Sequence, residues 1–361
     1  MPKARKKPTA VDSDTLRQLL GQGVKSHVLQ ARLDYMDVEG VARYVRIMRG
    51  QKRVNPRMLP TQLDGRWSTS DPPLVNFPAW LRGGTKLGPD GKPHTPPPVI
   101  IPDPGTWWLS WDWNALHARI AVAYSGDPVD TEAFNNEWDV HTLTACGMWG
   151  IPLPPVRTKT LHNDPSCEAW RQYWSPPWQG DDDRRRRLAK MMRYATLLGK
   201  DERSALESKD VEKEGLTRQE ILQFAKQYLA AKPHLVACKQ KHFALCAESG
   251  ESRTFMGRRR RLFGDWWDRA KEGWAHKLQG GEADMMATCL IAAHQMFTDT
   301  WLILNSHDGA ILGFPESYDP GRTKESLSRV VEQAWMIEGV PIKTSADWKV
   351  WSPDGRVLKL K

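Results

Sequence analysis

The sequence predicts an α+β fold in which a small antiparallel sheet packs among helices. Two observations indicate this class. Residues 302–314 form two apolar runs around Asp308-Gly309, and an Asp-Gly pair between hydrophobic runs is a strong β-hairpin signal. Residues 106–127 begin as an aromatic strand, continue with apolar residues at helical spacing and end at Gly126, where a helix stop is expected.

Composition limits the class of protein and its partners. The 361 residues carry a net charge of +9, which fits a polyanionic partner and equally a membrane surface. The arginine runs Arg184–Arg187 and Arg258–Arg261 are usually explained as solvated faces. An odd count of five cysteines without CxxC spacing favours a reduced intracellular compartment. No apolar run reaches the roughly 20 residues of a membrane span.

Two aspartates are expected at the ends of rigid elements. Asp112 lies at the strand-to-helix junction, and Asp308 lies in the hairpin. Alone, Asp112 is best explained as a helix N-cap and Asp308 as part of a surface turn. Together, if they converge, they can hold two divalent cations about 4 Å apart for phosphoryl transfer. Magnesium suits such oxygen ligands.

The other elements follow in chain order. Residues 1–12 read as a basic disordered arm, 14–50 as helix and 51–104 as loops with short strands. Asp181–Asp183 open a helix in which Arg186, Lys190 and Tyr194 recur at every fourth residue and share one face. Such a face can bind a triphosphate and a base, although a plain basic face is the simpler explanation. Residues 216–231 form a helix capped by Thr217 and Glu220, and a further helix opens at Gln279.

Several sequence blocks resemble family A DNA polymerases in their order along the chain. DWNALHAR, from Asp112 to Arg119, resembles motif A, and SHDG, from Ser306 to Gly309, resembles motif C. RRLAKMMRYATLLG, residues 186–199, resembles motif B. The blocks at residues 65–78, 139–145, 256–262 and 278–284 also fall where the family places equivalents. Because both arginine runs adjoin or lie in these blocks, phosphate contact becomes the favoured interpretation.

The resemblance implies a right-hand polymerase fold with an antiparallel-sheet palm, helical fingers and a reduced thumb. Residues 1–50 would be the basic arm and thumb-remnant helices, and 51–145 the first part of the palm. Residues 146–255 would form the fingers, with a Trp/Pro-rich insertion at about 151–180, and 256–361 the second part of the palm. An exonuclease domain is not expected.

The resemblance also implies roles for individual residues. Asp112, Asp308 and Lys190 would be catalytic. Two Mg²⁺ ions, with Mn²⁺ as a substitute, would be bound by Asp112, Asp308 and the backbone carbonyl of Trp113. The incoming nucleotide would contact Arg186, Lys190, Tyr194, His141 and His117. Primer-template DNA would contact Arg66, Gln279, His307, Arg258, Arg259 and Arg119. From the sequence alone, Arg66 paired with Asp71 is a comparable alternative.

Three positions depart from the family pattern. His117 replaces a glutamate that helps to exclude a ribose 2′-hydroxyl, and an imidazole can also hydrogen-bond to that group. Leu198 replaces a tyrosine beside the template base. Gly309 replaces a glutamate of motif C, so one acidic group near the metals is lost. Sugar selection therefore stays open.

Three functions are consistent with these observations. The first is a DNA polymerase that adds deoxynucleotides to a primer 3′-hydroxyl by two-metal-ion phosphoryl transfer, without proofreading. The second is a primase-like or RNA-synthesising enzyme, and the third a non-catalytic DNA-binding subunit. Expected partners are primer-template DNA, dNTPs and a separate chain that supplies a thumb, exonuclease or processivity function. The expected location is a bacterial or phage-infected cytoplasm, with mitochondria less favoured.

Overall fold

The computed structural model describes most of the chain from residue 100 onward and less of what precedes it. The described residues are His27, Arg46, 53–54, 56–60, 62–74, 86–87, 93–94, 100–158, 161, 164–174, 183–197 and 216–360. His27 and Arg46 lie in helices. The predictions for the basic arm, for nearly all of the 14–50 helix, for Asp181, Asp182 and Leu198, and for residues 159–160, 162–163 and 175–180 of the insertion lie outside these residues.

A five-stranded antiparallel sheet forms the centre of the molecule, in the order β13-β12-β5-β9-β8. Among the described residues, four two-stranded ribbons accompany it, pairing β1 with β2, β3 with β4, β6 with β7 and β10 with β11. The strands are β1 Arg57–Leu59, β2 Ser68–Ser70, β3 Lys86–Leu87, β4 Pro93–His94, β5 Thr106–Trp113, β6 Glu251–Arg253, β7 Arg259–Arg261, β8 Trp301–Asn305, β9 Gly309–Pro315, β10 Ala334–Ile337, β11 Val340–Lys343, β12 Ala346–Trp351 and β13 Val357–Leu360.

Helices fill most of the space around this sheet. Those of four residues or more in the described part of the chain are α1 Leu116–Ser125, α2 Pro128–Asn135, α3 Val140–Trp149, α4 Glu168–Arg171, α5 Arg184–Leu197, α6 Arg218–Ala230, α7 Pro233–Ser249, α8 Trp266–Met296 and α9 Pro320–Val331. None of the described helices combines the length and the apolar character needed to cross a membrane.

Alternation along β5 explains how the sheet is covered on both faces. Trp107, Leu109 and Trp111 join the main core with residues of α1, α7 and α8, whereas Trp108 packs into a smaller cluster on the opposite face. Successive side chains of a strand point to opposite faces, so this aromatic strand is buried on both sides. A separate core joins α3, α5 and α6, including Met192. The domain boundaries at residues 50, 145 and 255 stay predictions.

Local capping signals were predicted correctly in most places. Thr217 and Glu220 form the predicted capping box of α6, and Gly126 ends α1 in a left-handed conformation. Asp183 accepts a hydrogen bond from the backbone N–H of Arg185 at the start of α5, 2.9 Å away. The prediction that a helix opens at Gln279 was wrong: α8 is 31 residues long and begins after Asp265, which accepts a hydrogen bond from the N–H of Asp268.

The predicted hairpin is confirmed, but its turn lies one residue earlier than the Asp-Gly pair indicates. His307 adopts the left-handed conformation, with φ 69°, and Gly309 is already the first residue of β9. Glycine is required at position 309 for a different reason. A Cβ there would lie 2.5 Å from the carbonyl oxygen of Trp111 and 3.3 Å from the Cα of Asp112.

This close approach predicts unequal costs for alanine at two glycines of β9. A Cβ at Gly309 meets backbone that cannot move aside, whereas a Cβ at Gly313 meets the exposed indole of Trp301. We expect Gly309→Ala to lower the free energy of unfolding by about 1–3 kcal/mol, a typical cost of overpacking, and Gly313→Ala to cost less. Denaturant unfolding of both variants measures this, and equal losses would contradict it.

Candidate active site

Strand pairing brings Asp112 and Asp308 together at one end of the central sheet. Asp112 of β5 lies opposite Gly309 of β9, and the backbone N–H of Trp113 donates to the carbonyl oxygen of Asp308 at 2.8 Å. Both aspartate side chains are exposed. Asp112 is not the N-cap of α1, because that position is held by Ala115 without a side-chain cap bond.

Negative charge accumulates at this junction. The protein packed around Asp308 raises the pKa of its carboxyl group, the charges of Asp112 and Glu282 raise it further, and the result is a pKa of about 7. A carboxyl group that is shifted in this way gains from a nearby cation. The two carboxylates provide the hard oxygen ligands that Mg²⁺ prefers. The donor set therefore fits the predicted cofactor.

Glu282 is a member of the site that the sequence did not predict. Its side chain is 1% exposed, and its Oε2 lies 2.9 Å from Nε2 of His117. Burial acts to lower the pKa of His117, but the hydrogen bond and charge of Glu282 and the charge of Asp308 give a net rise. The only sequence signal for Glu282 is its position one turn after Gln279, inside a recognised block.

The exposed face of α5 lies within electrostatic reach of the two aspartates. Tyr194 is 45% exposed, and burial raises the pKa of its phenol, with further contributions from Asp308 and Asp112. Lys190, one turn earlier on this face, is also exposed. Tyr194 therefore lies within electrostatic reach of the two carboxylates, and Lys190 lies one turn away on the same face of α5.

His141 lies beside this face, its ring centroid 6.4 Å from that of Tyr194. Burial lowers the pKa of His141 to about 2, and the charges of Arg193, Arg186 and Lys190 contribute to the shift. The imidazole is therefore neutral at physiological pH. A neutral ring can give or accept a hydrogen bond beside Lys190 without adding to the positive charge.

Arg186 is bonded to another residue of the same region. Its Nε donates to Oδ2 of Asp139 at 2.8 Å, and its Nη2 donates to Oδ1 at 3.2 Å. Asp139 is also the N-cap of α3, accepting from the N–H groups of His141 and Thr142. This bidentate pair joins α3 to α5, so a contact of Arg186 with a triphosphate stays a prediction.

The residues predicted to contact DNA mostly carry acidic partners. Arg66 is paired with Asp64, at 2.7 Å, rather than with Asp71. Arg258 bonds to Asp284 at 2.7 Å, and Arg259 to Glu251. His307 and Gln279 are half-buried. Of these residues, His307 directly precedes Asp308, and the charge of Arg66 acts on both His117 and His307.

Arg119 is buried, which argues against its predicted contact with DNA. Its side chain is buried, at 3% exposure for the residue. It donates to the carbonyl oxygens of Asn114, Phe134 and Lys343 and pairs with Glu137. A guanidinium enclosed in this way links α1 to the chain before β12 and does not reach DNA. The basic residue at the end of motif A is structural here.

Comparison with known proteins supports the sequence resemblance. No protein-family model matches the chain. It is 25% identical over 263 residues to DNA polymerase I of Pseudomonas aeruginosa, which covers 69% of this chain and 24% of the relative. It is 24% identical over 299 residues to the thermostable DNA polymerase I of Thermus filiformis, covering 79% of this chain and 31% of the relative. The chain thus spans 24% and 31% of the length of these two relatives.

A solved structure confirms the fold. The POL domain of Pol1 from M. smegmatis, in complex with DNA primer-template and dNTP, matches with a TM-score of 0.72 and 20% sequence identity. The match covers 96% of this chain and 57% of that one. The predicted α+β fold is therefore confirmed, and the matches to DNA polymerases I agree with the resemblance to family A DNA polymerases.

The Asp139–Arg186 pair predicts a large loss of stability on Asp139→Asn. Removing one partner leaves a buried charge uncompensated, so we expect the free energy of unfolding to fall by about 3–5 kcal/mol. Asp127→Asn is the matched control, because Asp127 is also a buried N-cap but bonds backbone N–H groups of α2. Asparagine caps as well as aspartate, so the control is expected to be near wild type in denaturant unfolding.

The same pair predicts a dependence of stability on pH. Burial opposes ionisation of Asp139, but the hydrogen bonds and charge of Arg186 give it a pKa below the ordinary value. Its contribution to stability is therefore complete above the unfolded pKa of about 4 and is lost as pH falls through the folded value. Wild type should lose more stability than Asp139→Asn between pH 6 and acid pH. Parallel curves would contradict this.

Proposed function

We propose that the chain is a template-directed DNA polymerase, which adds deoxynucleotides to a primer 3′-hydroxyl by two-metal-ion phosphoryl transfer. The observation that carries the proposal is the β5–β9 pairing, which sets Asp112 and Asp308 side by side. Lys190 and Tyr194 on α5 provide a cation and an aromatic ring toward the same region. The likeness to DNA polymerases I supports the reaction class.

Each residue of the site would have its own role in the reaction. Asp112 and Asp308, with the carbonyl of Trp113, would hold two Mg²⁺ ions. When bound, such ions lower the pKa of an attacking hydroxyl and stabilise a leaving pyrophosphate. Lys190 would bind the triphosphate as a fixed cation, and Tyr194 would pack against the incoming base. Neutral His141 would hydrogen-bond to phosphate oxygens.

The nucleic acid would be held by basic and polar residues nearby. Arg66, His307 and Gln279 would position the primer end, and Arg258 and Arg259 would contact phosphates. The bacterial relatives support a location in a bacterial or phage-infected cytoplasm.

A second candidate, an enzyme that accepts ribonucleotides, has one specific observation in its favour. His117 stands where the resemblance places a glutamate that excludes the 2′-hydroxyl. An imidazole can bond to a hydroxyl group. Extension of one primed template with dNTPs or NTPs separates the two candidates, and strict use of dNTPs would eliminate the second.

We expect Asp112→Asn and Asp308→Asn each to abolish primer extension while primer-template binding is kept, because each removes an anionic metal ligand. Asp347→Asn is the matched control. Asp347 lies opposite Asp112 on the neighbouring strand β12, but its carboxylate pairs with Lys359 at 2.8 Å. Extension assays with Mg²⁺ and equilibrium DNA binding measure both quantities. Full extension by either active-site variant would refute the mechanism.

Replacement of Lys190 should make the enzyme less efficient with its dNTP substrate. Loss of a charge-assisted hydrogen bond costs about 1.5–3 kcal/mol, so Lys190→Ala should lower kcat/KM for a dNTP by roughly 10- to 100-fold. Arg184→Ala removes an exposed cation from the first turn of the same helix and serves as the control. Steady-state single-nucleotide extension compares them. Equal losses in both variants would indicate that the overall positive charge of α5 matters, and not a direct contact of Lys190 with the triphosphate.

A further inference from the structure

The contact between α1 and α8 places a buried acid against His117. A Cβ on Gly281 of α8 would lie 3.8 Å from Cδ1 of Ile120 of α1, an ordinary packing distance, so the two helices are in contact at this point. The next residue is Glu282, whose Oε2 lies 2.9 Å from Nε2 of His117. Two packed helices therefore determine the geometry of the pair.

This pair restricts the imidazole in a defined way. His117 is only one quarter exposed, and Glu282 is almost fully enclosed. A carboxylate accepts, so Nε2–H of His117 donates, and only Nδ1 remains for another partner. A ring held at one nitrogen by an enclosed carboxylate cannot change rotamer without leaving that carboxylate buried and unpaired, which is costly.

We propose that Glu282 is a positioning residue for sugar selection, which holds the His117 imidazole in one orientation beside the incoming nucleotide. The proposal rests on the polymerase function proposed above. His117 occupies the motif A position at which the resemblance places sugar discrimination, and its charge environment also includes Asp308 and Arg66. An imidazole held in one position leaves less space for the 2′-hydroxyl of a ribonucleotide. An imidazole that is free to rotate can move away from that hydroxyl.

A double-mutant cycle tests whether Glu282 acts through His117. The ratio of kcat/KM for a dNTP to that for the matching NTP is measured on one primed template for wild type, Glu282→Gln, His117→Ala and the double variant. We expect Glu282→Gln to lower the preference for the dNTP by roughly tenfold, within the range of coupling between contacting residues. The double variant should equal His117→Ala. Unchanged selectivity in Glu282→Gln, or additive effects, would overturn the proposal.

Asp284→Asn is the matched control for a buried acid of α8. Its carboxylate accepts hydrogen bonds from Thr254 and Arg258, so its replacement should leave the sugar ratio at the wild-type value. A change equal to that of Glu282→Gln would overturn the proposal. So would a shift in the Mg²⁺ dependence of Glu282→Gln with an unchanged sugar ratio, because Glu282 would then act on the metals.

A second measurement does not depend on catalysis. Long-range ¹H–¹⁵N NMR of the imidazoles, with His117→Ala for assignment, reports which ring nitrogen carries the proton. We expect protonated Nε2 in wild type and a mixture of tautomers in Glu282→Ala, and thermal unfolding checks that the variant is folded. An unchanged His117 signal would overturn the positioning role. Failure of wild type to extend any primer, with the NMR result as expected, would instead refute the polymerase function.

Discussion

The register of β5 against β9 is the constraint on which the candidate site depends. Pairing runs from Thr106 with Pro315 to Asp112 with Gly309, and the bond from Trp113 to the Asp308 carbonyl continues it by one step. A slip of one residue would turn every side chain to the other face of the sheet. The burial of alternate aromatic residues along β5 therefore also fixes where its aspartate lies.

Sequence patterns predicted the elements of the site well because their signals are local. A strand, a junction and a helix stop at Gly126 are encoded within about twenty residues, and a hairpin is encoded by its turn. The family resemblance then supplied what periodicity alone does not, namely that two distant aspartates belong to one site. The position of the turn was missed because the Asp-Gly signal assumes that the glycine is needed for a positive φ angle. Gly309 is needed instead because a side chain there would meet the backbone of Trp111 on the neighbouring strand.

Side-chain partners were the least predictable feature. Arg186 and Asp139 are 47 residues apart, and His117 and Glu282 are 165 apart, so no local spacing indicates either pair. Arg119 was assigned to DNA by its motif, but burial makes it a support for three backbone carbonyls. Whether a cation faces a ligand or the interior is decided by packing, which a single sequence does not record.

The close contact at Gly309 has a consequence for how such a site can vary. With backbone 2.5 Å from the place of a Cβ, the β5–β9 pair leaves no room for an acidic side chain at position 309. Further negative charge reaches Asp308 from Glu282, on a helix. The two aspartates at the strand ends and the nearby Glu282 thus belong to separate structural elements, so substitutions in α8 can change the surroundings of the aspartates while the strand ends keep their alignment.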